Sequence, residues 1–155
     1  MKSFSLIIIL FLFGLFDALG QPVHVLIAYH SETGHTEAMA NAVAEGARTV
    51  NEVTVTLKPV SEVTASDLLD ADAIIVGSPV YNANVSPEIS AFIASWPFEG
   101  EPLKDKIGAA FVSAGGISAG EEIVQMNILQ SMLVFGMVVV GGPDWKQPFG
   151  ASSVT

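Results

Sequence analysis

The chain contains no cysteine, which excludes disulfides, thiolate nucleophiles and cysteine-ligated zinc or iron–sulfur centres together. Positive charge is scarce too: six Lys and Arg stand against sixteen Asp and Glu, a formal net charge of −10. A surface so lopsided repels nucleic acid and anionic lipid. Histidine is limited to positions 24, 30 and 35. His24 and His30 flank one short apolar run, and no acidic cluster joins them at ligand spacing, so a metal site is not expected. No Ser–His–Asp set can be assembled from loops expected to meet, which sets hydrolysis aside. What the chain has in quantity is hydrophobic residue, 50% of 155, enough for one packed domain and too little length for two.

The first twenty residues stand apart from that domain. Lys2 precedes an unbroken apolar run from Leu6 to Phe13, continued by Leu15 and Phe16, and Ala18 and Gly20 sit three and one before a cut ahead of Gln21. That is the layout of a secretory signal peptide, and the run is short of the roughly 20 apolar residues of a membrane span. Residues 1–20 therefore read as a signal that exports a mature domain of residues 21–155 to the periplasm or beyond. An uncleaved N-terminal membrane anchor is the alternative.

Within residues 21–155 the apolar period switches repeatedly. Val23 to Tyr29 is a branched apolar run, as expected of a strand covered on both faces. From Thr36 to Arg48, Met39, Ala40, Val43, Ala44 and Ala47 fall at helical spacing, with Glu37, Asn41 and Glu45 turned elsewhere. Val53, Val55 and Leu57 then alternate with polar residues until Pro59, the pattern of a half-exposed edge strand. A short helix capped by Ser66 leads to a buried strand from Ala73 to Val76, ending at Gly77. Ser86-Pro87-Glu88 opens a helix that runs to about Trp96 and is closed by Pro97. A fourth strand over Ile107 to Val112, a Gly-rich loop over Ser113 to Gly120, a helix over Glu121 to Phe135 with Gly136 at its end, and a fifth strand over Met137 to Val140 complete the series.

Strands alternating with helices require right-handed crossovers, hence a parallel sheet with helices on both faces. The residues after Val140 include Gly141, Gly142, Pro143, Pro148 and Gly150, so no helix is expected there. The sheet face beside the first helix is then left without its second cover. The reading is a sequence lacking the final helix of a doubly wound sheet, through C-terminal truncation or with another surface covering that face.

Ligands of such sheets bind beyond the carboxyl ends of the strands. Three loops meet there. Ser31-Glu32-Thr33-Gly34-His35-Thr36 combines hydroxyls with a glycine and ends at a helix N-terminus, an arrangement suited to phosphate; a bare helix cap is the alternative. It has neither the Gly-Lys-Ser/Thr of a Walker loop nor the glycines of G-x-G-x-x-G. The spacing of Ser31, Thr33, Gly34 and Thr36 resembles the FMN phosphate loop of flavodoxins. His35 and the helix TEAMANAVAEGA after it resemble more closely the flavodoxin-fold NAD(P)H:quinone oxidoreductases of the tryptophan-repressor-binding-protein type.

That resemblance, over about residues 23–155, implies a flavodoxin-like sheet of strand order 2-1-3-4-5 and FMN as cofactor. It implies that Ser31, Glu32, Thr33, Gly34, His35 and Thr36 hold the phosphate. The second loop, with Val80, Tyr81 and Asn82, and the third, with Ser113, Ala114, Gly115, Gly116, Ile117, Ser118 and Ala119, would surround the flavin ring. Tyr81 stands where many flavodoxins place a stacking aromatic. Trp96 corresponds to a substrate-side tryptophan of the quinone-reductase group, with packing at the helix end as the other reading.

Two departures bear on activity. Phe135 stands before Gly136-Met137 where that group has a histidine, and Thr33 stands where it often has an aromatic. The implied function is FMN-dependent reduction of quinone-type acceptors by NAD(P)H. A flavodoxin-type one-electron carrier, served by a redox protein and without turnover of its own, is the alternative. Assembly into a homo-oligomer stays open.

Overall fold

The computed structural model describes residues 21–155; the signal-peptide reading of residues 1–20 falls outside the described residues. Branched apolar runs form the strands and amphipathic stretches the helices, in the expected alternation. The elements are β1 (Val23–Tyr29), α1 (His35–Arg48), β2 (Val53–Pro59), α2 (Ala65–Asp70), β3 (Ala73–Pro79), α3 (Pro87–Ala94), β4 (Ile107–Ala114), α4 (Glu121–Val134), β5 (Val138–Val139) and β6 (Ala151–Val154). A 3-10 turn, Val60–Glu62, follows β2. Every strand pairing is parallel, and the order is β2-β1-β3-β4-β5, as expected.

Several boundaries differ from expectation. β3 continues to Pro79 and β4 to Ala114 because Ser78 pairs with Val112, Pro79 with Ser113 and Ala114 with Val154. Ser113 and Ala114 are thus the last residues of β4, from which the third loop leaves. α1 begins one residue early, at His35, and α3 stops at Ala94, short of Trp96. α4 ends at Val134, with Gly136 following at φ 75°.

α2 is capped by Thr64 and not by Ser66. The Thr64 hydroxyl accepts from the Asp67 N–H at 3.2 Å while the Asp67 carboxylate accepts from the Thr64 N–H at 2.7 Å, a reciprocal box that Ser66, already inside the helix, cannot make. Asp67 also takes both of its oxygens to Lys58 Nζ, at 2.7 and 2.9 Å. The Lys58 hydrogen bond first, then those from Thr64, hold the Asp67 carboxyl down at about 2. A depressed acid stabilises the fold fully above its unfolded pKa and loses that contribution as pH falls through the folded value. Asp67→Asn is therefore expected to lower stability by about 1 kcal/mol at neutral pH. Urea melts of the two proteins should converge as pH is lowered from 4 to about 2.

The outer edge of the sheet holds the largest departure. Instead of one strand over Met137 to Val140, two short strands share the position, β5 beside the start of β4 and β6 beside its end. The offset between partners is 31 at Ile107–Val138 and 40 at Phe111–Ala151, so nine residues are looped out between them. The stem of this excursion is tight: a Cβ on Gly141 or Gly142 would lie 2.0 Å from the carbonyl oxygen of Pro148 or Gln147. No helix lies between Val140 and Thr155.

Two apolar layers hold the sheet. On one face Leu26, Ala28, Ile74, Val76 and Val112 pack against Leu68 of α2, Ile89, Phe92 and Ile93 of α3, and Val124, Ile128 and Met132 of α4. The other face has α1 alone, whose Ala40 and Ala44 cover Val25, Ile27, Tyr29 and Phe111. Beyond the reach of α1, Ile107, Val138 and Val140 are exposed among the described residues. None of the described helices is long and apolar enough to cross a membrane.

Candidate functional site

The order of the strands makes β1 and β3 neighbours whose following helices lie on opposite faces of the sheet, which opens a crevice at their carboxyl ends. The first loop enters it from β1. Gly34 caps α1 at φ 88°, with no side chain bonded to the first turn of the helix. By contrast, α2 and α3 are capped by the side chains of Thr64 and Ser86. The leading N–H groups of α1, from His35 to Glu37, are left aimed at the crevice with the positive end of the helix dipole behind them. Ser31 turns the loop by accepting from the Gly34 N–H at 3.1 Å. Glu32, Thr33, Gly34 and His35 are exposed, while Thr36 is buried.

The three loops are tied together. Thr36 Oγ1 and Ser113 Oγ share a buried hydrogen bond of 2.8 Å, joining the first loop to the third. The Val80 N–H donates to the Ser113 carbonyl at 2.8 Å, joining the second to the third. Ala83 packs so closely on Gly120 that a Cβ there would lie 2.5 Å from its own. Tyr81 OH donates to Glu32 Oε2 at 3.0 Å, joining the second to the first. Partial burial, the Glu32 hydrogen bond, and the charges of Glu32 and Glu88 push the Tyr81 phenol above its usual range.

The residues singled out in the sequence therefore converge, with distinct surroundings. Val80 and Tyr81 are half-buried and Asn82 is exposed at φ 53°. Ser113 and Ala114 are buried at the end of β4; Gly115, Ile117, Ser118 and Ala119 are exposed and Gly116 half-buried. A Cβ built on Gly115 or Gly116 meets no atom within 4 Å, so the backbone there faces open space. Thr36 spends its hydroxyl on Ser113 and offers a phosphate its N–H alone. Uncapped amides beside free hydroxyls of the first loop, facing two open glycines, are a donor set that fits a planar cofactor bearing a phosphate.

Trp96 is a correction. It is buried, its ring lying 5.6 Å from Phe92 and 5.2 Å from Phe135. Those partners stand at the far ends of α3 and α4, away from the three loops. A packing role at the helix end, and not contact with substrate, is what this position allows.

Other neighbours of the crevice carried no signal of their own in the sequence. His30 Nε2 lies 3.3 Å from Glu88 Oε2, and Tyr29 OH donates to Glu37 Oε1 at 3.2 Å. These four side chains, with Val60 and Phe92, line a groove of about 640 Å³ that adjoins Ser31. Each is unremarkable in its own segment; the pairing of β1 with β3 brings them together.

A family model described as NADPH-dependent FMN reductase matches residues 56–151. A flavodoxin of Aquifex aeolicus is 40% identical, the match covering 78% of this chain and 66% of that protein. An NAD(P)H dehydrogenase (quinone) of Cupriavidus metallidurans is 36% identical over 84% of this chain and 82% of that one. Among solved structures, a flavodoxin, WrbA-like protein from Agrobacterium tumefaciens aligns with a TM-score of 0.67 at 28% identity, covering 75% of each chain. A flavodoxin from the domain Archaea aligns with a TM-score of 0.68 at 27% identity, covering 84% of this chain and 83% of the other.

Proposed function

This chain belongs to the NADPH-dependent FMN reductase family, and from that membership we propose that it is an FMN-binding oxidoreductase that takes electrons from NAD(P)H and delivers them to quinone-type acceptors. The observation that carries the reading is the start of α1: a glycine at φ 88° in place of a side-chain cap, leaving amides open to a dianion. FMN supplies the redox chemistry when bound, passing hydride or single electrons at its ring. The chain's own groups grip and orient it. Ser31, Thr33 and the N–H groups of residues 35–37 hold the phosphate, Tyr81 offers an aromatic face, and the backbone at Gly115 and Gly116 lets the ring approach closely.

Reductase activity is tested by mixing the FMN-loaded protein rapidly with NADH or NADPH. Loss of the flavin's visible absorbance within seconds is expected; no bleaching with either nucleotide would remove the donor from the proposal.

The alternative, a carrier that exchanges electrons with a redox protein, draws on charge. Glu32, Glu88 and Glu122 are exposed around the crevice, and Arg48, Lys104 and Lys106 lie at the other end of the sheet. An acidic mouth steers a basic partner. Export belongs to the same proposal: removal of residues 1–20 predicts a recovered protein that starts at Gln21, which its intact mass reports.

A further inference from the structure

Tyr81 sits on a rigid base. It exchanges both backbone hydrogen bonds with Asn84, at 3.0 Å each, around Asn82 and Ala83 at φ 53° and 60°. That two-residue turn has both central residues left-handed, and Ala83 is seated on Gly120. The Cα of Tyr81 is thereby fixed, while its half-buried ring could still swing about two side-chain torsions. What stops it is the acceptor on the other loop, Glu32 Oε2 at 3.0 Å.

The resemblance counts Glu32 with the phosphate loop, yet its carboxylate is bonded to Tyr81 and is ill suited to a phosphate. It stands in a loop whose open amides favour an anion, and a carboxylate there repels a phosphate that a neutral side chain would leave unopposed. Nor does it cap α1, which has no side-chain cap. Its one hydrogen-bond partner among the described residues, apart from any backbone group, is the Tyr81 hydroxyl.

We infer that Glu32 is a positioning residue: by accepting the Tyr81 hydroxyl it holds the phenol across the crevice, so that the first and second loops act as one clasp that closes over the bound cofactor and slows its release. The inference rests on the flavin reading above, but the clasp belongs to the protein alone and can be observed without cofactor. A hydrogen bond to a charged acceptor is the stronger kind, and here it joins the tips of two loops 49 residues apart, beyond the point where the His30 N–H meets the Gly77 carbonyl at their roots.

The test uses Tyr81→Phe, Glu32→Ala, Glu32→Gln and the double variant Glu32→Ala/Tyr81→Phe, all changes at exposed or half-buried positions. The chain has two tyrosines, so carbon-13 labelling of the tyrosine rings resolves each phenol by NMR. In the cofactor-free protein, the Tyr81 phenol should titrate at lower pH in Glu32→Ala than in the parent, with Tyr29 unmoved. FMN release, followed by displacement in a stopped-flow instrument, should be about tenfold faster in Tyr81→Phe and faster by less in Glu32→Ala, which also relieves the repulsion of the phosphate. The double variant should be no faster than either single change, and Glu32→Gln, whose amide oxygen still accepts, should return to within about twofold of the parent. Release effects that multiply in the double variant, or a Tyr81 titration indifferent to Glu32, would overturn the clasp. If the parent binds no FMN, the flavin reading fails and takes the release role with it, while the tyrosine titration still decides whether the two loops are bonded.

Discussion

Gly34→Val is expected to weaken FMN binding by about 100-fold while leaving the fold intact. The position holds φ 88° and ψ −13° at the start of α1. A Cβ added there meets nothing within 4 Å, so the penalty is conformational and not steric. A β-branched residue in the left-handed region costs roughly 1–3 kcal/mol, and an exposed loop escapes that cost by rotating to negative φ. Rotation carries the N–H groups of residues 35–37 away from the phosphate, and each charge-assisted hydrogen bond lost is worth about 1.5–3 kcal/mol. Asn, which tolerates the left-handed region, should weaken binding far less than Val. Quenching of FMN fluorescence on titration measures both, and circular dichroism confirms the fold. Affinity within threefold of the parent for Gly34→Val would remove the first loop from the binding site.

The expectation for Gly34 came from the sequence, and it shows what kind of feature local pattern can reveal. A strand such as Val23–Tyr29 announces itself because both faces are covered and nearly every residue is apolar. A loop between that strand and an amphipathic helix then has only one place to be, and three such loops in succession locate the crevice. Ser86-Pro87-Glu88 was equally plain, since an N-cap, a proline at the first position and an early acid each act on neighbouring residues.

Features made by distant partners were not visible in the same way. β6 is a strand because Phe111 to Ala114 lie beside it; Ala151-Ser152-Ser153-Val154 has too little apolar content to declare itself. The Glu32–Tyr81 and Thr36–Ser113 bonds span 49 and 77 positions, so the residues could be named while their pairing could not. Trp96 shows the opposite hazard. A correspondence to the tryptophan of a related group implied a ligand role, yet its surroundings are set by the length of α3, which carries it to the far end of the sheet and into the ring cluster with Phe92 and Phe135. The extra residues of β3 and β4 were missed for a related reason. Ser78 and Ser113 look like loop residues, but both are buried, Ser78 Oγ accepting from the Ser86 N–H at 3.1 Å and Ser113 bonding Thr36.

Gly77→Ala is expected to destabilise the protein by about 3 kcal/mol, the upper end of what overpacking costs. Across the sheet Tyr29, Gly77 and Phe111 are direct neighbours on β1, β3 and β4. The Phe111 ring lies over the Gly77 backbone, so that a new Cβ would stand 2.0 Å from Cζ and 2.3 Å from Cε2. The ring is 1% exposed and is the largest of the fully buried side chains. It forms one layer with Val25, Ile27, Tyr29, Ala40 and Ala44. Since α1 is the one helix over this face among the described residues, the ring can yield only by leaving its cover, which returns apolar area to water at about 25 cal/mol per Å². Phe111→Leu should therefore lose less stability in the Gly77→Ala background than in the parent, a positive coupling readable from urea midpoints. The site should feel the same displacement, because the Gly77 carbonyl accepts from the His30 N–H at 3.1 Å and β3 gives way to the second loop just after Pro79. A Gly77→Ala protein within about 0.5 kcal/mol of the parent would mean that the ring has room to turn, and that this half-covered face is held by something other than Phe111 seated on a glycine.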